Sequence, residues 1–180
     1  MPFQALILVD LQNDYFPGGT MELVGIGRAA ENAAKILGSA RKKQLPVFHI
    51  QHIAASESAS FFLPDTRGAE HHESVQPLNG ERVFKKHFPN ALRETELEAT
   101  LRQEKLNELC IVGAMSHMCI DATTRAAFDA GFNCTVVQDA CATRDLEFNG
   151  RKIAAADVHG SFMAALSSPY ATVLETADIA

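Results

Sequence analysis

Apolar runs of strand length alternate with helical patterns along most of this chain. Ala5–Val9 is wholly apolar and stops at Asp10, the length and composition of a strand buried on both faces. A Pro17-Gly18-Gly19 turn follows, then an alanine-rich helix near Arg28–Lys42 and a second strand at Pro46–Gln51. Arg82–Phe84 reads as a short third strand, and Glu94–Gln103 as a polar amphipathic helix. Leu109–Val112 is a fourth strand, ended by Gly113, and Asn133–Val137 is a fifth. Lys152–Leu166 closes the pattern as a helix and Ala171–Leu174 as a strand. The stretch from Ala54 to Gly80 has no clear period and carries Pro64, Gly68, Pro77 and Gly80; a loop that long is expected to be functional. Strands alternating with helices imply parallel pairing through right-handed crossovers with helices on both faces. Residues 1–180 are therefore expected to form one domain, a three-layer α/β/α arrangement around a mostly parallel six-stranded sheet.

The most informative stretch runs from Leu109 to Ala127, where a buried strand turns sharply into a helix. Ser116 suits an N-cap, which places Cys119 at the third position of that helix. Free backbone N–H groups and the positive end of the helix dipole favour a negative charge there, so a thiolate should form more easily than in water. A cysteine in a helix is commonly a small buried hydrophobe. The setting favours chemistry, because the carboxyl ends of strands in open α/β sheets are where ligands bind. Cys110 and Cys134 lie within apolar strand-like runs, where a thiol is packing material, and Cys141 is expected in a loop.

Two further residues belong to the same sheet edge. Asp10 ends the first strand; it is either a turn former or a carboxylate able to take a thiol's proton and return it to a leaving amine. Lys86 follows the third strand; it is either solvated surface or a cation that would hold a thiolate and balance the carboxylate.

Composition narrows the field. At 180 residues and 47% hydrophobic content the chain can bury a sizeable core. A net charge of −6 without a Lys/Arg cluster argues against a nucleic-acid partner. No apolar run approaches the roughly 20 residues of a membrane span, and the N-terminus lacks the basic and apolar regions of a signal peptide. Four cysteines without Cys-x-x-Cys spacing suggest reduced thiols in a cytoplasmic protein.

Leu8-Val9-Asp10-Leu11-Gln12-Asn13-Asp14-Tyr15-Phe16, Val83-Phe84-Lys85-Lys86-His87-Phe88-Pro89-Asn90-Ala91-Leu92 and Gly113-Ala114-Met115-Ser116-His117-Met118-Cys119-Ile120-Asp121-Ala122-Thr123 together resemble the isochorismatase-like cysteine hydrolases. Phe132–Arg144 is similar to that family's next strand and loop, so the resemblance covers essentially the whole chain. It implies the Rossmann-like fold of that family and a catalytic triad of Asp10, Lys86 and Cys119. It also implies a cis peptide between Ala114 and Met115, with the Met115 and Cys119 N–H groups as an oxyanion hole. The implied activity is hydrolysis of a small amide or ureido C–N bond, without a cofactor, in a homo-oligomer of two or more subunits. Gln12, His52, Phe61, Phe62 and His117 are expected to line the substrate pocket, although Phe61 and Phe62 would serve equally as core or subunit contacts. Strand alternation points Lys85 away from the site and Lys86 into it.

The nicotinamidases of this family carry a metal-binding Asp-x-His pair after the second strand. Here the corresponding run is His49-Ile50-Gln51-His52-Ile53, without the aspartate, and no metal site is expected. Cys119 argues against vinyl-ether cleavage, since isochorismate-cleaving members lack that cysteine. Gly25-Ile26-Gly27-Arg28-Ala29-Ala30 matches a dinucleotide fingerprint, but it does not directly follow a strand, and no acid for a ribose ends the second strand. A noncatalytic binding or assembly protein on the same fold is the remaining alternative; it would need none of the three triad residues.

Overall fold

The computed structural model describes residues 3–56 and 58–179. Strands β1 (Ala5–Val9), β2 (Val47–His52), β3 (Arg82–Lys86), β4 (Glu108–Ala114), β5 (Asn133–Ala142) and β8 (Thr172–Leu174) form one sheet. Its order is β3-β2-β1-β4-β5-β8, with every neighbouring pair parallel. Alternation along β1 divides the core: Leu6 and Leu8 pack with helix α1 (Ile26–Lys42), while Ala5, Ile7 and Val9 face the other layer. That second layer holds α2 (Leu97–Gln103), α3 (Asp121–Asp129) and α4 (Ala155–Leu166). A strand buried on both faces needs apolar residues at every position, which is how β1 reads. No helix among the described residues is long and apolar enough to cross a membrane.

Several boundaries differ from expectation. Lys152 does not start the last helix: Leu146–Phe148 and Arg151–Ile153 form an antiparallel hairpin, β6–β7, and α4 starts at Ala155. Asn149 and Gly150, at φ 50° and 72°, make the two-residue turn, a pairing whose two positive φ values match the strand twist. The second helix starts at Leu97 rather than Glu94, because Glu94 takes a left-handed φ of 56°. β5 runs on through polar Gln138 and Asp139 to Ala142, so Cys141 lies in a strand paired with Gly113 and not in a loop.

β4 is pressed against β1 at the site edge. Gly113 has φ 127°, and a Cβ there would lie 2.0 Å from the Val9 carbonyl oxygen. Only glycine permits this approach, which brings the turn after β4 beside Asp10. The irregular stretch after β2 is tied back by a bridge between Gln12 and His71 and by the Phe62 N–H donating to Asp14 Oδ2 at 2.6 Å.

Candidate active site

Three strand ends deliver the three chemical groups. Asp10 follows β1 in the left-handed region, φ 51°, a conformation that Asp tolerates better than most residues. Its N–H donates to the Ile50 carbonyl at 3.1 Å, which fixes the carboxylate at the sheet edge. Lys86 is the last residue of β3, beside His52 at the end of β2. As strand alternation requires, Lys85 is exposed and Lys86 is buried. Thr123 in α3 accepts from the Ala91 N–H at 3.0 Å, tying the loop after Lys86 to the helix that follows Cys119.

Cys119 sits in a widened turn, Ser116–Ile120, in which the Ile120 N–H reaches back five residues to the Met115 carbonyl at 3.2 Å. Ser116 is therefore not an N-cap: its hydroxyl pairs with His159 Nδ1 at 2.8 Å and faces the Ala142 carbonyl at 3.3 Å. The Ala114–Met115 peptide is cis.

The side chains of Asp10, Lys86 and Cys119 converge. Lys86 Nζ stands 2.8 Å from Asp10 Oδ2 and donates to Cys119 Sγ at 3.2 Å. Residue exposures are 0%, 1% and 4% respectively, so little water screens this cluster. Burial opposes the Lys86 charge, but Asp10 and Cys119 outweigh it and its pKa is raised. The Cys119 thiol is pushed up, first by burial and then by the Asp10 charge, with Lys86 pulling the other way. Burial and the Asp10 charge thus oppose the easily formed thiolate expected from a helix start, and Lys86 is the group that favours it. Asp10 Oδ1 has no hydrogen-bond partner among the described residues, which leaves a lone pair free for a proton.

Asp10, His52 and Cys119 each place an O, N or S donor within 4.8 Å of the other two. Lys86 Nζ occupies the space among them, 2.9 Å from His52 Nδ1, so a metal ion bound by this trio would have to displace the ammonium.

The expected pocket residues fall into different roles. The Gln12 amide is wholly engaged, with Nε2 donating to the His52 and Ala69 carbonyls and Oε1 accepting the His52 N–H. Phe62 is fully buried against Tyr15, with ring centroids 4.6 Å apart, whereas Phe61 keeps part of its surface open. His117 is half-buried, with Nδ1 2.6 Å from Thr143 Oγ1. Two residues escaped the sequence reading. Tyr15 is buried against Phe62, and burial first, then the charges of Asp10 and Cys119, raise its pKa. Arg144 is exposed just beyond β5; its charge reaches both Tyr15 and His117, and no carboxylate pairs with it among the described residues. No sequence signal marked it, because the fifth strand was expected to end at Val137 and runs on to Ala142.

An isochorismatase domain model matches residues 4–177. The isochorismatase family protein YddQ of Bacillus subtilis (strain 168) is 51% identical over 172 residues, covering 96% of each chain. An isochorismatase from Pseudomonas putida KT2440 superposes with a TM-score of 0.92 at 36% identity, over 98% of this chain and 90% of that one. The N-carbamoylsarcosine amidase of an Arthrobacter species is 28% identical over 145 residues, 71% of this chain and 55% of that protein.

Proposed function

Because this chain belongs to the isochorismatase family of hydrolases, we propose that it hydrolyses a small amide or ureido C–N bond with Cys119 as nucleophile. The observation that carries this reading is the buried cluster of a thiol, a carboxylate with a free oxygen and an ammonium touching both. Asp10 takes the Cys119 proton as sulfur adds to the substrate carbonyl, so the thiolate exists only during attack. Lys86 stays charged and compensates the negative charge as it moves from carboxylate to sulfur. The oxyanion is received by the Met115 and Cys119 N–H groups. Asp10 then gives its proton to the departing nitrogen, leaving a thioester and a free amine or ammonia. A water molecule, deprotonated by Asp10, adds to the thioester, and the sulfur leaves with the proton restored. The unpaired Arg144, next in the chain to the Thr143 that bonds His117, favours a substrate that carries a carboxylate next to the scissile bond, as an N-carbamoyl amino acid does.

The test is ammonia release from a panel of small amides and ureides by wild type, Cys119→Ala and Asp10→Asn. Turnover of at least one compound is expected, falling by at least about a thousandfold in both variants. Turnover that survives Cys119→Ala, or no turnover across the panel, refutes the reading and favours a noncatalytic binding protein on the same fold.

A further inference from the structure

We propose that His52 is a positioning residue that holds the Lys86 ammonium in place while negative charge moves between Asp10 and Cys119; this rests on the cysteine-hydrolase reading above. An ammonium has three N–H donors. Lys86 meets three partners: Asp10 Oδ2 at 2.8 Å, His52 Nδ1 at 2.9 Å and Cys119 Sγ at 3.2 Å. Two of these exchange a proton during the reaction, and an ammonium held by them alone would close on whichever is charged. The third, His52, is neutral and keeps a constant pull.

His52 is itself fixed. The Gln12 side chain clasps both its N–H and its carbonyl, at 2.8 and 2.9 Å, and its ring lies 5.8 Å from that of Phe62. It stands beside Lys86 in the β2–β3 ladder, so the two side chains leave neighbouring strands at one level. An imidazole can accept at Nδ1 only when neutral, with its proton on Nε2. The groups facing it favour that state: burial first and then the Lys86 charge bring its pKa down to about 4, against the opposing Asp10, while His87 adds a smaller push in the same direction as Lys86. A histidine serving only as filling would be indifferent to which ring nitrogen carries the proton. This one has its tautomer set by the ammonium.

Two measurements test the assignment. In the first, imidazole 15N spectra are recorded for wild type and Lys86→Met. The Nε2–H tautomer is expected in wild type, and the His52 titration should move upward once the cation is gone. A wild-type ring protonated at Nδ1, or a titration unmoved in Lys86→Met, overturns the proposal whether or not the protein turns over a substrate. In the second, kinetics compare His52→Phe, which keeps the ring but lacks an acceptor, with His52→Asn, whose Oδ1 stands near the place of Nδ1. His52→Phe should lower kcat by roughly 10- to 100-fold, the range for losing a hydrogen bond to a charged group, with KM little changed. Its alkaline limb should shift to lower pH, because Lys86 then loses its proton more readily, and His52→Asn should restore most of kcat. Unchanged kcat and alkaline limb in His52→Phe, beside loss of activity in Cys119→Ala, refute the positioning role and leave the hydrolase reading standing. Full activity in Cys119→Ala refutes the hydrolase reading instead, and the spectra then decide whether His52 holds Lys86.

Discussion

Acid should weaken this fold well above the pH at which carboxylates protonate. His71 is 9% exposed, and its Nε2 has no hydrogen-bond partner among the described residues. Burial, reinforced by neighbouring His49 and opposed by Asp10, brings its pKa from 6.5 down to about 4. The unfolded chain therefore binds a proton at a pH where the native chain refuses it, and stability falls as pH drops from about 6.5 to about 4. A shift of that size corresponds to roughly 2 kcal/mol lost at pH 5 and about 3 at pH 4, relative to pH 8. Domains are stable by only about 5–15 kcal/mol, so this is a substantial share. His52, brought to about 4 by burial and Lys86, adds to the loss in the same direction but is more open to solvent. Glu81, held near 2 despite burial by hydrogen bonds from Arg41, Leu78 and His49, remains charged through this window and does not contribute until pH falls below about 4.5. The assay is urea unfolding at pH 8, 6.5 and 5 for wild type and His71→Phe, which removes the titrating group and breaks no side-chain hydrogen bond. The variant should lose less stability between pH 8 and pH 5, by about 2 kcal/mol. Equal pH slopes in the two proteins would show that His71 is not the group responsible, and a flat wild-type profile would refute the whole account.

Gly113→Ala would drive a Cβ to 2.0 Å from the Val9 carbonyl oxygen at φ 127°; a loss of more than about 4 kcal/mol, read by thermal melting, is expected from such backbone strain. Gln12→Ala strands the His52 N–H and two carbonyls that Gln12 now satisfies; it should destabilise by about 2–4 kcal/mol in urea titrations and lower kcat with it. Burial pushes Cys134 and Cys141 up to about 12, with Cys110 and Cys119 also raised. None of the four thiols should therefore react quickly with a disulfide reagent at pH 8 until the protein is unfolded. Arg144→Ala should raise KM for carboxylate-bearing substrates by about tenfold and leave kcat close to wild type.

The sheet was legible because its strands are buried on both faces: Ala5–Val9 and Leu109–Val112 are apolar at every position and admit few other readings. Where β5 turns polar at Gln138 and Asp139, the same rule fails, because the Asp139 carboxylate is satisfied by Thr176 and Asn32 from elsewhere in the fold. The β6–β7 hairpin carried a readable Asn149-Gly150 signal that was masked by the helical pattern running into α4. Ser116 looked like a cap because its residue type suits one; its partner, His159, lies 43 residues away and is invisible to local reasoning. The thiol of Cys119 departs from expectation for a similar reason, since a helix start predicts the field of nearby N–H groups but not the burial that outweighs it. Asp10, Lys86 and Cys119 were singled out from strand ends and family motifs, and their side chains meet; Tyr15 against Phe62 and Arg144 beside the Thr143–His117 pair needed the third dimension.

The Asp14 carboxylate that accepts the Phe62 N–H also bears on how this scaffold can be re-purposed. The excursion after β2 is pinned at several points: Phe62 to Asp14, Arg67 and Glu70 to Asn13, Ala69 to Gln12 and Gln51, His71 to Gln12, His72 to Leu11 and Gln76 to Arg41. These anchors lie on the frame side, in β2, the segment after β1 and α1. Residues 63–66, between two pins, hydrogen-bond only locally, so they can be exchanged without moving a strand end. Selection for a new ligand therefore has short replaceable segments to act on, while the buried Asp10–Lys86–Cys119 cluster beneath them is inherited intact.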